Sequence, residues 1–156
     1  MDESRKRPRD RGPLSREDVT ADSPFTLPGF FAELAEGRLT GAACSDCGHA
    51  MVPPRPACYA CGSRAVAVEE QPRAGEVVSY TAVHTPPPAF EARAPYTVGV
   101  VELASGARLT GRVDADYDAV AIGDPVELTV RDPGDAELAA ALDHETDWPI
   151  HVFEVR

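Results

Sequence analysis

Two Cys-x-x-Cys pairs, an amphipathic segment before them and five short apolar runs after them predict a mainly β protein. The expected order is an N-terminal helix, a zinc ribbon of rubredoxin-like knuckles, and a five-stranded barrel of the oligonucleotide/oligosaccharide-binding (OB) type. The expected divisions are an arm over 1–22, the helix within 23–40, the ribbon over 41–69 and the barrel with an acidic C-terminal segment over 70–156.

Residues 1–22 mix charges of both signs, with Arg5, Lys6, Arg7, Arg9, Arg11 and Arg16 against Asp2, Glu3, Asp10, Glu17, Asp18 and Asp22. Pro8 and Pro13 interrupt any helix, and little apolar surface is available to bury. The stretch reads as a disordered or loosely docked arm. The helix that follows can open at Ser23-Pro24 or Leu27-Pro28, since proline is tolerated in a first turn. Phe30, Phe31 and Leu34 give it one apolar face, Glu33 and Glu36 fall on the other, and Gly37 is the expected stop. Packing on the ribbon and insertion into a partner both remain open for that face. Phe30, Phe31 and Leu34 are therefore partner-binding candidates.

The four cysteines of the chain stand as Cys44-Ser-Asp-Cys47 and Cys58-Tyr-Ala-Cys61, with ten residues between the pairs. In each turn both sulfurs can point at one ion, so two turns supply the four thiolates of a closed structural zinc site. Zn2+ on Cys44, Cys47, Cys58 and Cys61 is the expected cofactor, with no open position for catalysis. Gly48 and Gly62 follow the second cysteine of each pair, where the chain must turn back tightly. Two disulfides would need an oxidising compartment, and residues 1–22 lack the apolar core of a secretory signal, so a cytoplasmic location is expected. His49 reads as a solvated loop histidine. Pro53, Pro54 and Pro56 stiffen the ribbon tip.

From Gly75 the pattern becomes β. Val77–Val83 and Tyr96–Leu103 read as strands. After the turn Ser105-Gly106, Arg108–Val113 pairs back as a hairpin. Val126, Leu128 and Val130 alternate with Glu127, Thr129 and Arg131, so that strand is half exposed. Ile122-Gly123-Asp124 is the turn before it, and Ile150–Val155 is the last strand. Five strands without βαβ spacing favour a small closed barrel. Residues 133–148 are acidic, with a short helix expected near Ala139–Leu142.

Composition narrows the function. The chain has 156 residues and a net charge of −11, from 26 acidic side chains against 15 basic ones, of which Lys6 is the one lysine. No apolar run is long enough to cross a membrane. An acidic surface repels phosphate backbones, so neither nucleic acid nor membrane is an expected partner. Scarce lysine among many acids also resembles a salt-adapted, halophilic proteome.

The residues together resemble a known family. A Phe-Phe-x-x-Leu helix leads into Cys44-x-x-Cys47-Gly48, then Pro53-Pro54-Arg55-x-x-Cys58-x-x-Cys61. Gly75-Glu-Val-Val-Ser-Tyr-Thr81 follows, with Val83-His84, Pro95-Tyr96 and Ile122-Gly123-Asp124-x-Val126. Over about residues 25–131 this is similar to the zinc-ribbon/OB-fold accessory proteins associated with acyl-CoA enzymes, formerly domain-of-unknown-function 35. The resemblance implies a non-catalytic scaffold that binds a thiolase-fold enzyme and helps bind or channel acyl-CoA. In archaea the implied role is to bridge acetoacetyl-CoA thiolase and hydroxymethylglutaryl-CoA (HMG-CoA) synthase in the mevalonate pathway, and the salt-adapted composition favours that setting. The alternative within the family is an accessory subunit of an acyl-CoA hydratase or lipid-transfer-type aldolase.

No catalytic constellation is evident in the residues. The loop Thr85-Pro86-Pro87-Pro88-Ala89-Phe90 is expected to be stiff and extended. Pro86, Pro87 and Pro88 are candidates for a partner edge. With coenzyme A or acyl-CoA as ligand, Arg55 and Arg93 are the candidate phosphate contacts, because a guanidinium fork donates two hydrogen bonds together. His84 and Phe90 complete that candidate set. The rival of another class is a single-stranded nucleic-acid-binding OB module, which needs stacking aromatics in a basic groove. From Gly62 onward 17 acids outnumber 7 arginines, which disfavours it.

Overall fold

The computed structural model describes residues 13–156, and the expectations for residues 1–12 lie outside them. The chain divides into two compact units, the second comprising Arg73–Ala104 and Arg108–Arg156.

In the first unit, helix α1 spans Leu27–Ala35. Thr26 caps it, its hydroxyl oxygen accepting from the Gly29 N–H at 3.3 Å, and Pro28 falls in the first turn, where its missing N–H has no partner to lose. The helix stops as expected at Gly37. The Gly37 N–H donates to Leu34 at 3.0 Å and the Arg38 N–H to Glu33 at 2.9 Å, a Schellman closure. Strands β1 (Thr40–Cys44), β2 (Ala50–Met51) and β3 (Val66–Glu70) form an antiparallel sheet in the order β2-β1-β3. Their core is small: Ala42, Cys44, Met51, Cys58 and Val66 are buried together, with Leu14 and Phe25 packed against them. The Leu14 N–H also donates to the Arg64 carbonyl at 2.9 Å. The described part of the arm therefore lies on the ribbon, because Leu14 is an apolar side chain with somewhere to go.

In the second unit, β4 (Ala74–Val83), β5 (Tyr96–Leu103), β6 (Arg108–Val113), β7 (Pro125–Arg131) and β8 (Ile150–Val155) close a barrel in the order β4-β5-β6-β8-β7. The β6–β8 pairing is parallel (Arg112↔Val152, Val113↔Phe153), and the other pairings are antiparallel. All five expected strands are present, and a bulge between Val77 and Ser79 lets long β4 curl from one neighbour to the next. Strict alternation on β5 buries Thr97, Gly99, Val101 and Leu103. Phe153 fills the interior together with Val77, Val101, Val113 and Leu128. Gly99 lies opposite Gly111, and a methyl group on Gly111 would stand 2.8 Å from the Phe153 ring. Glycine is needed at 111 so that the ring has room.

Two local expectations differ. The proline loop is extended only to Pro87; Pro88–Arg93 forms a 3-10 helix. The fixed φ of proline suits both conformations, and Pro88 occupies the first helical position, where no N–H is required. The C-terminal helix, α2, is Asp135–Ala140, earlier than expected. The Glu137 carboxylate accepts from the Gly134 N–H at 3.1 Å and fixes the start. Replacing Gly111 by Ala should lower stability by about 1–3 kcal/mol through overpacking against Phe153. Urea unfolding followed by Trp148, the single tryptophan, measures it.

Candidate metal centre and ligand face

The two knuckles repeat one backbone pattern. The Gly48 N–H donates to Cys44 at 2.9 Å and the Gly62 N–H to Cys58 at 2.8 Å. The Cys44 N–H donates to His49 at 2.9 Å, and the Cys58 N–H to Ser63 at 2.8 Å. Gly48 and Gly62 both take positive φ, 78° and 80°, which allows each turn to close without a strained β-carbon. The Ser63 hydroxyl donates to the Asp46 carboxylate and ties one knuckle to the other.

All four sulfurs lie within 4.8 Å of one another, with Cys44–Cys61 and Cys47–Cys58 each at 3.6 Å. Four thiolates about 2.3 Å from a tetrahedral zinc are about 3.8 Å apart, so the spacing fits. Backbone N–H groups point at the sulfurs: Cys47 and Asp46 at Cys44, His49 at Cys47, Ser63 at Cys61. Led by the Cys47 N–H, they bring the Cys44 thiol down to about 7. The Ser63 N–H acts the same way on Cys61, but burial and the neighbouring sulfurs outweigh it and push that thiol up to about 12. Four thiolates this close repel one another, and a dication is the charge that reconciles them. With every ligand a cysteine, no coordination position is left for a substrate, so the metal would fold the ribbon and perform no reaction.

The other candidate residues sit in several places. Phe30 and Leu34 are buried by the chain itself, which leaves half-buried Phe31 and half-exposed Leu27 as the apolar groups that α1 offers to solvent. Arg55 is exposed, its guanidinium 5.4 Å from the Tyr59 ring centre. His49 is not a freely solvated loop side chain: it is half-buried, with its ring edge-on to Tyr59 at 4.6 Å. Tyr59 itself is 61% exposed and was not singled out by sequence, although it lies inside a knuckle.

On the barrel, exposed His84 lines a cavity of about 650 Å³ together with Tyr96, Thr97, Asp116, Tyr117 and Asp118. Pro86 is half-buried, and Pro87 and Pro88 are exposed. Phe90 and Arg93 sit instead at a second, smaller pocket of about 180 Å³, with Tyr96, Arg112, Arg131, Glu137 and Ile150. There the Arg93 guanidinium lies 5.2 Å from the Phe90 ring centre and donates to the buried Glu137 carboxylate at 2.9 Å, while Arg131 holds the other carboxylate oxygen. Arg93 is thus already engaged. Sequence gave no hint of Glu137, one acid among many in an acidic stretch.

Comparison with known proteins agrees with this arrangement. The family described as ChsH2, rubredoxin-like zinc ribbon domain, matches residues 31–67, and the ChsH2 C-terminal OB-fold domain matches residues 68–131. A DUF35 domain-containing scaffold protein of Methanothermobacter thermautotrophicus is 42% identical over 96 residues, covering 60% of this chain and 71% of the relative. The chain belongs to the DUF35 family. A solved DUF35 chain, from a structure described as the Ltp2-ChsH2(DUF35) aldolase, is 32% identical with a TM-score of 0.61, covering 81% of this chain and 91% of that one. A probable enoyl-CoA hydratase alpha subunit of Thermomonospora curvata is 38% identical over 115 residues, covering 72% of this chain and 34% of the relative. A DUF35 crystal structure from Sulfolobus solfataricus shares the fold at 18% identity and a TM-score of 0.52, covering 82% of this chain and 83% of that one.

Two outcomes test the site. Chelation of the metal, or Cys47→Ser, should reduce bound zinc from about one per chain to a small fraction and remove amide-exchange protection at Cys44, Gly48, Cys58 and Gly62. Metal analysis and hydrogen exchange measure these. Burial alone would raise the Glu137 carboxyl; Arg93 and Arg131 outweigh it and bring it to about 2, against an ordinary value of 4.5. A depressed carboxyl stabilises the fold fully above the ordinary value, and the contribution fades as pH falls through about 2. Glu137→Gln should therefore cost on the order of 2–3 kcal/mol at pH 7, with the gap to the wild type narrowing as the pH approaches 2. Urea unfolding of both proteins across that range, followed at Trp148, measures the gap.

Proposed function

We propose that this chain is a non-catalytic scaffold subunit that docks on a thiolase-fold enzyme acting on acyl-CoA. The observation that carries the reading is the 42% identity over 96 residues to an archaeal protein named as a scaffold, one of several such relatives. These include a second relative, from Methanocaldococcus jannaschii, at 40% identity over 67% of its length. A closed four-thiolate site is consistent with this role, because its metal can shape a surface but cannot bind substrate.

The finer reading is the bridge between acetoacetyl-CoA thiolase and HMG-CoA synthase in the mevalonate pathway. Thiolase condensation is unfavourable, and a subunit that keeps the consuming enzyme close raises the effective concentration of the intermediate. Coenzyme A contacts belong to this reading, through Arg55 on the ribbon or through His84, Phe90 and Arg93 on the barrel taken separately, as does docking through Phe31 or through the Pro86–Pro88 lip. The complex is placed in the cytoplasm, where reduced thiols are maintained. A second reading, an aldolase or hydratase partner, is favoured by the 32% identity to the Ltp2-ChsH2(DUF35) chain and by the hydratase relative.

Co-purification of the native complex, with every bound chain identified, separates these readings. A stoichiometric thiolase with HMG-CoA synthase supports the first, and an aldolase or hydratase supports the second. Recovery of the chain alone, or thioester turnover by the isolated chain, overturns the scaffold role.

A further inference from the structure

At one end of the barrel β4 runs out at Val83, opposite Tyr96 at the start of β5. Residues 116–118, on the connection between β6 and β7, join these strand ends around the cavity of about 650 Å³. Barrel mouths are common places for small-molecule sites, whose usual volumes run from about 300 to 1,000 Å³. Ala82 and Thr97 face each other in the β4–β5 register, and both line the cavity. Thr97 continues the buried series Gly99, Val101 and Leu103 along β5, so the cavity reaches an interior position of the barrel.

This lining is more polar than apolar, and it holds Asp116 and Asp118 with no lysine or arginine. Both acids are exposed, so their oxygens are open to a ligand. Neither side chain makes an ion pair or hydrogen bond among the described residues. Thr97 is 2% exposed, and its hydroxyl also has no partner there. A buried hydroxyl left unpaired is costly, and a donor entering from the cavity relieves that cost. Tyr117 is 48% exposed but held in place, its ring centre 5.1 Å from that of Tyr80. It offers aromatic surface between the two acids that flank it in sequence. Carboxylates beside aromatic rings suit an organic cation, which gains both ion pairing and the attraction of the ring quadrupole. A phosphate is repelled by the same two acids, within a chain whose net charge is −11. A metal ion fits less well, because among the described residues the four cysteines form the one group that brings three or more ligand atoms together.

We propose that the barrel mouth binds a small organic cation, an amine or a guanidine. Asp116 and Asp118 supply the counter-charge, Tyr117 packs on the apolar stem, and the Thr97 hydroxyl accepts from the ligand at the floor of the cavity. Of the coenzyme A contacts in the proposed function, His84 alone lines this cavity, and it takes no part in the grip. The site needs neither a partner enzyme nor coenzyme A, so its failure and that of the scaffold role are separate results.

The test uses the full-length, zinc-loaded chain. Butylammonium, and butylguanidinium in a second series, are titrated at constant ionic strength and followed by amide NMR shifts. Saturable shifts centred on residues 81–84, 96–97 and 116–118 are expected with at least one probe, and the probe that saturates tells amine from guanidine. Asp116→Asn combined with Asp118→Asn should weaken that probe by about fivefold, since exposed ion pairs contribute modestly. Tyr117→Leu should weaken it by about threefold. Glu102→Gln combined with Glu127→Gln removes the same charge elsewhere on the barrel, at acids already paired with Arg108 and Arg156, and should leave the affinity unchanged. Non-saturating shifts with both probes overturn the site, as does equal weakening by the two double variants. Inorganic phosphate should give no saturable shift at these residues, and saturation by it overturns the assignment. Should the paired Asn variant lose its barrel spectrum, Asp118→Asn alone decides: an affinity equal to the wild type's overturns the site.

Discussion

Mutual repulsion among four sulfurs is the constraint on which the ribbon depends. Backbone N–H groups lower the Cys44 thiol, while burial and the neighbouring sulfurs push Cys61 up, and a cation among the four would favour their ionised forms. The knuckles sit on a cluster of five buried side chains, two of them the cysteines Cys44 and Cys58, in a unit that also buries Phe30, Leu34 and Leu39. A metal bound here would add its binding free energy to the stability of this segment.

The barrel is held differently. Its order comes from apolar alternation on five strands and from one large ring, Phe153, admitted by the glycine pair 99 and 111. Glu137 joins the 3-10 turn of the proline-rich loop to α2 and the end of β7 through Arg93 and Arg131, so the two connections share one buried charge. A carboxylate so engaged restrains both loops, leaving a defined lining around the pocket rather than a set of independent side chains.

Spacing and periodicity are local properties, and what they govern was readable. The four cysteines, the stop at Gly37 and all five barrel strands follow from residues a few positions apart. What was not readable depends on partners distant in sequence. Nothing near Glu137 distinguishes it from Asp135 or Glu145, because its role is set by Arg93, 44 residues away. Phe30 and Phe31 look equivalent as neighbours, yet the fold buries the first and leaves the second half-buried. The proline loop misled for a different reason: a fixed φ restricts the chain without choosing between an extended segment and a 3-10 turn.

The strand order has a consequence for biogenesis. β8 lies between β6 and β7, yet it is the last of the five strands in chain order. A ribosome can release β4 to β7 long before the piece that seals them emerges. Through that interval β6 and β7 each present an unzipped margin of amides and carbonyls, with apolar side chains behind it. Sealing must wait until β8 itself has emerged.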